Sequence, residues 1–524
     1  MIALLLAGSL VSGASGPQSC ESLKSINLPD VTITSAETVP AGPYLAPAAA
    51  PPPAPAGRGP APVAPGAPAG RGGRGGPPAP QPIPLAAHCR LAVVLTPSPD
   101  SHIESEIWLP VENWNGKLEV VGGGGWAGAI SYGALATAVN EGYAAASTDT
   151  GHKGGTGDFA YQHPEKIVDF GYRAVHETTA KAKLMIAAFY ARAPRMSYFN
   201  GCSTGGRQAL MEAQRFPDDF DGIIAGAPAN SHIHLHTAAV ARGIDMMKTP
   251  AVSPEKIAMV GKAVLNACDA LDGVKDGLVS NPRACHFDPA SLLCKGPGDD
   301  VSQSCLTAGE LASVQRAYAP TKFKNGTTAW AGNEFGSEGG WARIGGANPP
   351  APTGGAVDTI RFLGYQTENW DWHTFDLDKD TAVIDKNAGF IDSVDPNLAP
   401  FKAHGGKLIL YHGWADVTIN PGHTIDYYQS VLSKMGGKQD DFVRLFMEPG
   451  MQHCGNGPGP NQISWMASLE RWRESGSAPE QILASHVSSN RVDMTRPLCP
   501  YPQVAAYKGV GSTNDAANFV CKAP

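Results

Sequence analysis

The sequence predicts an α/β fold with a largely parallel sheet, and two observations predict it. Between residues 90 and 225 short β-rich or apolar runs alternate with helical periodicity, the rhythm of strand, crossover helix and next strand. Between residues 407 and 447 that rhythm returns after a long irregular block. Its return marks the block as an insertion into one core rather than a second independent domain.

Residues 90–97 and 103–111 read as strands separated by the turn around Pro97 to Ser101. Residues 117–121 form a short β-rich run that ends in Gly122, Gly123, Gly124 and Gly125, and residues 143–148 suit another strand. Helical spacing dominates from 164 to 192. A strand at 196–200, a helix at 205–215 and an apolar run at 222–225 follow. From 228 to 399 helical pieces mix with Gly, Pro, Asp and four cysteines, with no sheet rhythm. A buried-strand signal reappears at 407–411, then a helix near 424–434 and a strand at 442–447. The expected organisation is a core in two parts, 87–227 and 400–524, carrying an inserted lid domain at 228–399.

The remaining segments are not core. Residues 1–16 carry an apolar run followed by small residues, which suits a signal peptide and is too short to span a bilayer. Residues 17–45 are an N-terminal segment. Residues 46–86 are almost wholly Pro, Ala, Gly and Arg, with little to bury, and read as an irregular spacer. Net charge is −8, from 40 basic and 48 acidic residues. With no basic stripe, nucleic acid is excluded as partner, and Arg58, Arg71 and Arg74 belong to the spacer. No later stretch is long and apolar enough for a membrane span. Ten cysteines, none in a Cys-x-x-Cys pair, point to disulfides in an oxidising compartment and away from structural zinc. A secreted or periplasmic protein is expected.

The chemistry lies in Gly201-Cys202-Ser203-Thr204-Gly205, a G-x-S-x-G run with a strand before it and a helix after it. Such a turn lifts a serine hydroxyl clear of the sheet and aims the Thr204 N–H at a developing oxyanion. A Ser nucleophile needs an acid and a base, in that chain order, after later strands. Asp416 follows the 407–411 strand and His453 follows the 442–447 strand. His412 precedes the acid and His423 begins a helix, so both read as structural. Cys202 precedes the nucleophile and Cys454 follows the histidine. If Ser203 meets His453, these two sulfurs come within disulfide reach.

With Cys202-Ser203, Asp416 and His453-Cys454 in place, the chain resembles the tannase and feruloyl esterase family from about Cys20 to Cys521, the spacer excepted. The resemblance extends to bacterial hydrolases of terephthalate monoesters. It implies an α/β-hydrolase core with a large inserted lid domain and an oxyanion hole of Gly125 and Thr204 amides. Asp269, Asp272 and Asp276, set among turn glycines, read either as an acidic surface turn or as an oxygen-rich Ca²⁺ loop. The resemblance implies the second, a structural calcium in the lid held by these carboxylates and the carbonyls of Val274 and Leu278. It also implies the pairs Cys20–Cys89, Cys268–Cys285, Cys294–Cys305 and Cys499–Cys521.

For the pocket, the aromatic stretch from Arg361 through Tyr365, Trp370, Trp372 and Phe375 suits a flat phenolic acyl group. Trp370, Trp372 and Phe375 suit the lid's own core instead. Trp126, after the glycine run, is a further wall residue. Arg361 aligns with an arginine that binds carboxylate in the terephthalate-monoester enzymes. Ile344 and Ile419 stand where those enzymes carry Trp and Phe, which speaks against a terephthalate specialist. The expected function is hydrolysis of small aromatic esters of hydroxycinnamic or gallic acid. Tannase or aromatic-monoester hydrolase is the alternative. A non-catalytic phenolic- or carbohydrate-binding relative is the alternative of another class.

Overall fold

The computed structural model describes residues 18–47, 82–296, 304–341, 344–346, 352 and 354–524. The expected signal peptide and nearly all of the spacer lie outside the described residues. Nine strands form the main sheet: β1 (Val31–Val39), β2 (His88–Leu95), β3 (Ile103–Pro110), β4 (Lys117–Val121), β5 (Ala144–Thr148), β6 (Met196–Cys202), β7 (Gly222–Gly226), β8 (Lys407–Gly413) and β9 (Val443–Glu448). Their spatial order is β1-β2-β3-β5-β4-β6-β7-β8-β9. The first three strands and the β3–β5 contact are antiparallel. From β5 through β9 every pairing is parallel. The fold is α/β.

The longer helices are α1 (Tyr132–Asn140), α2 (Ala174–Tyr190), α3 (Thr204–Arg215), α4 (His232–Met246), α5 (Pro254–Cys268), α6 (Ala308–Tyr318), α7 (Leu377–Ala388), α8 (Pro421–Lys434) and α9 (Trp465–Ser475). Buried strands sort their side chains by the period of two. Phe199, Leu408, Leu410, Val443 and Leu445 face a core layer shared with α2, α3 and α8. Tyr198, Ile409, Tyr411 and Phe446 face the opposite layer, shared with α1 and α9. Helices therefore cover both faces, as a parallel sheet requires.

The elements agree with expectation, with physical adjustments at their ends. The helical run 164–192 is three pieces: Pro164–Val168, a wide turn at Asp169–Arg173, and α2. In that turn a Cβ on Gly171 would lie 3.3 Å from Ile391 and Phe390 side-chain atoms, so glycine admits the neighbour. Helix α8 starts three residues before its expected position, because Asn420 caps it on the Gly422 N–H at 2.8 Å and Pro421 suits the first turn. Strand β1 and the C-terminal elements were not expected. β1 is an edge strand with only Ile33 buried, so its alternation is weak. The C-terminal hairpin of β10 (Ile482–Ser488) and β11 (Arg491–Leu498) turns at Ser489 and Asn490, both with positive φ. Ser-Ser-Asn between two β-rich runs was the available signal.

All ten cysteines pair: Cys20–Cys89, Cys202–Cys454, Cys268–Cys285, Cys294–Cys305 and Cys499–Cys521. Among the described residues no helix is long and apolar enough to cross a membrane. Cys20–Cys89 fastens the short helix before β1 to the start of β2 across 69 residues. A double variant Cys20→Ser/Cys89→Ser should lose about 2–4 kcal/mol of unfolding free energy in denaturant titration. Unchanged stability would remove that role from the bond.

Candidate active site

Ser203 sits between β6 and α3 at φ 65°, ψ −122°. This backbone is strained for a non-glycine residue, at about 1–3 kcal/mol. Close approach of three backbones holds it. A Cβ on Gly122 would lie 2.6 Å from the Gly205 Cα, one on Gly201 would lie 2.5 Å from the Gly205 carbonyl oxygen, and one on Gly206 would lie 2.4 Å from that of Gly226. The Ser203 N–H donates to the Gly226 carbonyl at 2.9 Å, and the Ser203 carbonyl accepts from Arg207 and Ala229 at 3.0 Å each. Arg207, fully buried, donates to the carbonyls of Phe170, Gly171 and Ile391 at 2.9 Å each, pinning α3 to two neighbouring segments. Sequence reading missed this anchor, since an arginine one turn into a helix reads as surface.

Asp416 lies in the tight turn after β8 and is 1% exposed. Its Oδ1 accepts from the N–H groups of Thr418 (2.8 Å) and Ile419 (3.0 Å), and its Oδ2 lies 2.7 Å from His453 Nδ1. His412 Nε2 is 3.2 Å from the same Oδ2, and its Nδ1 is 2.8 Å from the Thr424 hydroxyl. His412 is wholly buried and braces the acid, consistent with its structural reading. Burial pushes the Asp416 carboxyl up, but hydrogen bonds and charge from His412 and His453 outweigh it. The group is held well below the usual carboxylate range.

The acid turn and the histidine turn are stitched together by Trp414 N–H to the Glu448 carbonyl (2.9 Å) and Ala415 N–H to the Met451 carbonyl (3.0 Å). The disulfide Cys202–Cys454, with Cα atoms 6.0 Å apart, joins the elbow to the histidine turn. Cys454 Sγ stands 3.6 Å from His453 Nε2, the nitrogen left free by Asp416. Among the described residues Ser203 Oγ donates and accepts no hydrogen bond with another protein group.

Thr204, 3% exposed, opens α3, and its hydroxyl donates to the Gly125 carbonyl at 2.5 Å. Gly123 N–H is held by Gln208 Oε1 at 3.1 Å. Gly125 has φ 60°, and a Cβ there would meet nothing within 4 Å. The Thr204 hydroxyl thus holds the end of the glycine run beside the helix N-terminus that follows Ser203.

The expected pocket residues fare unevenly. Ile419 is 6% exposed, donates to Asp416, and packs with Ala229, Leu235 and Trp330. Ile344 is buried with Val252 and Trp341. Trp126 is 4% exposed, its ring centroid 5.2 Å from Phe170 and 5.0 Å from His232. Arg361 donates to the Glu368 carbonyl at 2.6 Å and lies 3.6 Å from Asp358 Oδ1. Tyr365 donates its hydroxyl to Asp380. Trp370 and Phe375 pack against the apolar cluster of Phe362, consistent with a core role. A cavity of about 510 Å³ borders Ala415 and Gln452, the chain neighbours of Asp416 and His453, but not Ser203 or Gly125.

In the 269–278 loop, Asp269 accepts from the N–H groups of Asp276 (3.0 Å) and Gly277 (3.1 Å), and Asp272 from that of Val274 (3.0 Å). Asp276 pairs with Arg496 of β11. Burial pushes the Asp276 carboxyl up, Arg496 opposes this, and the charges of Asp272 and Asp269 push it up again. The buried carbonyls of Val274 and Leu278 accept no hydrogen bond among the described residues. Repelling carboxylates beside unused carbonyls are a donor set that fits a hard cation. Tighter groupings of ligand-type atoms, all within 4.8 Å, occur at His176, Glu212 and Asp219 and at His234, Asp385 and Asp392.

Comparison with known proteins gives a consistent answer. An uncharacterized esterase of Xanthomonas campestris pv. campestris is 35% identical over 567 residues, covering 98% of this chain and 93% of its own. The mono(2-hydroxyethyl) terephthalate hydrolase of Piscinibacter sakaiensis is 34% identical over 500 residues, covering 80% of this chain and 82% of its own. The crystal structure of feruloyl esterase B from Aspergillus oryzae matches at TM-score 0.82 and 30% identity, covering 96% of this chain and 99% of that one. The profile of the family described as tannase and feruloyl esterase matches residues 89–522. The chain therefore belongs to the tannase and feruloyl esterase family of carboxylic ester hydrolases.

Proposed function

We propose that this protein hydrolyses esters of hydroxycinnamic or gallic acids through an acyl-enzyme on Ser203. The observation that carries the reading is the short His453–Asp416 contact tied by Cys202–Cys454 to a serine on a strained elbow. His453 Nε2 takes the Ser203 proton as Oγ attacks the ester carbonyl, and the imidazolium then gives it to the departing alcohol. Asp416 fixes the tautomer through Nδ1 and balances the transient positive charge. The N–H groups of Gly125 and Thr204 hold the oxyanion. Water, activated by the same histidine, then releases the acid.

Several finer points belong to the same proposal. Residues 228–399 act as the lid over Ser203, with Ile419 bordering the acyl site. Arg361 and Tyr365 are engaged with lid groups, which favours a phenolic acid over a substrate with a second carboxylate. Five disulfides support export to an oxidising space. A lid Ca²⁺ would be held by Asp269, Asp272 and Asp276 with the carbonyls of Val274 and Leu278, where it supplies structural charge neutralisation.

Ser203→Ala should lower kcat on methyl ferulate and methyl gallate by on the order of 10⁴-fold or more, with an unchanged melting temperature. Retained turnover would sink the assignment. Asp416→Asn should cost about 10⁴-fold in kcat. Because the Asp416 carboxyl is held low, it is ionised throughout the neutral range, and its contribution to stability disappears only in strong acid. A wild-type pH–rate profile should therefore contain one acid-side ionisation, and a second one would count against the assigned acid. Elemental analysis should find bound calcium, and EGTA should lower the melting temperature; in Asp272→Asn the chelator should have no further effect.

A further inference from the structure

We propose that His176, Glu212 and Asp219 form a binding site for a divalent transition-metal cation of the zinc type, at the end of the parallel strands opposite Ser203. His176 lies in the first turn of α2, Glu212 in the last turn of α3, and Asp219 in the turn that enters β7. Glu212 is nine residues along α3 from Ser203, about 13 Å at the helical rise, so the site is separate from the elbow.

Three observations carry the assignment. One nitrogen of His176 and one carboxylate oxygen each of Glu212 and Asp219 lie within 4.8 Å of one another. Glu212 is 1% exposed, and neither of its oxygens has a hydrogen-bond partner. A buried carboxyl without a donor is costly, and this one faces a second carboxyl. Burial and then the Asp219 charge push the Glu212 group well up, against the opposing charge of Lys183. The nearby ammonium of Lys183 donates to the Asp219 carbonyl at 2.5 Å rather than to either carboxylate.

The surroundings suit a metal ion. His176 Nδ1 is 2.6 Å from Asp219 Oδ2, and its ring is stacked on Phe216 at 3.8 Å, which fixes where the nitrogen points. A cation there also meets the negative end of the α3 dipole. One imidazole with two carboxylates selects zinc-like ions over calcium or magnesium, which prefer all-oxygen sets. Side-chain exposures of 32% for His176 and 16% for Asp219 leave an approach from solvent and room for a water as fourth ligand.

The test uses the full chain, stripped with EDTA and returned to calcium-containing buffer at neutral pH. Titration calorimetry with Zn²⁺ should show a binding event that raises the melting temperature, while added Mg²⁺ does neither. Glu212→Gln, nearly isosteric, should lose at least about tenfold in Zn²⁺ affinity together with the melting shift. Its own melting temperature should not fall, because the amide offers Asp219 a donor. His176→Asn, at a half-exposed ring, gives the same readout should the buried substitution unfold the chain. Native protein without a Zn²⁺-dependent shift would overturn the proposal. Variants that bind Zn²⁺ like the native chain would overturn it too.

Discussion

The site depends on how closely the backbones at Gly122, Gly201 and Gly205 approach one another. Parallel strands β4 and β6 and the start of α3 meet there at distances no side chain would allow. That contact forces Ser203 into positive φ and so turns its hydroxyl out of the sheet. It also brings the glycine run after β4 to the N-terminus of α3, where Thr204 fastens Gly125 in place. The proposed nucleophile and the proposed oxyanion donors are two consequences of one packing constraint.

The second half of the site is organised by buried polarity. Asp416 is a charge deep in protein, tolerable only because two backbone amides and two histidines surround it. His412, with no access to solvent, behaves as part of the acid's cradle, and His453, partly exposed, keeps one nitrogen free. Equal residue types thus take unequal roles through burial and partner geometry. The same logic separates Arg207, spent on three carbonyls, from an arginine able to recognise a ligand.

Much of this was legible because it is local or strictly periodic. Buried strands such as 222–226 and 407–413 announce themselves as apolar runs, and G-x-S-x-G carries its own geometry. The adjacency of Cys202 to Ser203 and of Cys454 to His453 encoded a long-range contact in two short words. What escaped had no local signature. Strand β1 is half exposed, so its alternation is faint. The rings around Trp126, those of Phe159, Phe170 and His232, come from distant segments. The engagement of Arg361 with Glu368 and Asp358 arises from the local turns of 358–368. The Glu212 cluster joins three elements whose meeting no spacing announces.

The Cys202–Cys454 bond spans 252 residues, including the whole excursion between β7 and β8. Its covalent topology has a consequence for wear in a protease-rich setting. A chain cut anywhere in that excursion becomes two polypeptides, one ending after β7 and the other beginning before β8. The bond keeps them a single molecule, with elbow and histidine turn still tethered side by side. The parallel pairing of β7 with β8 then joins two fragments that cannot diffuse apart. Peptide-bond breakage in the excursion is thereby uncoupled from separation of the elbow and the histidine turn.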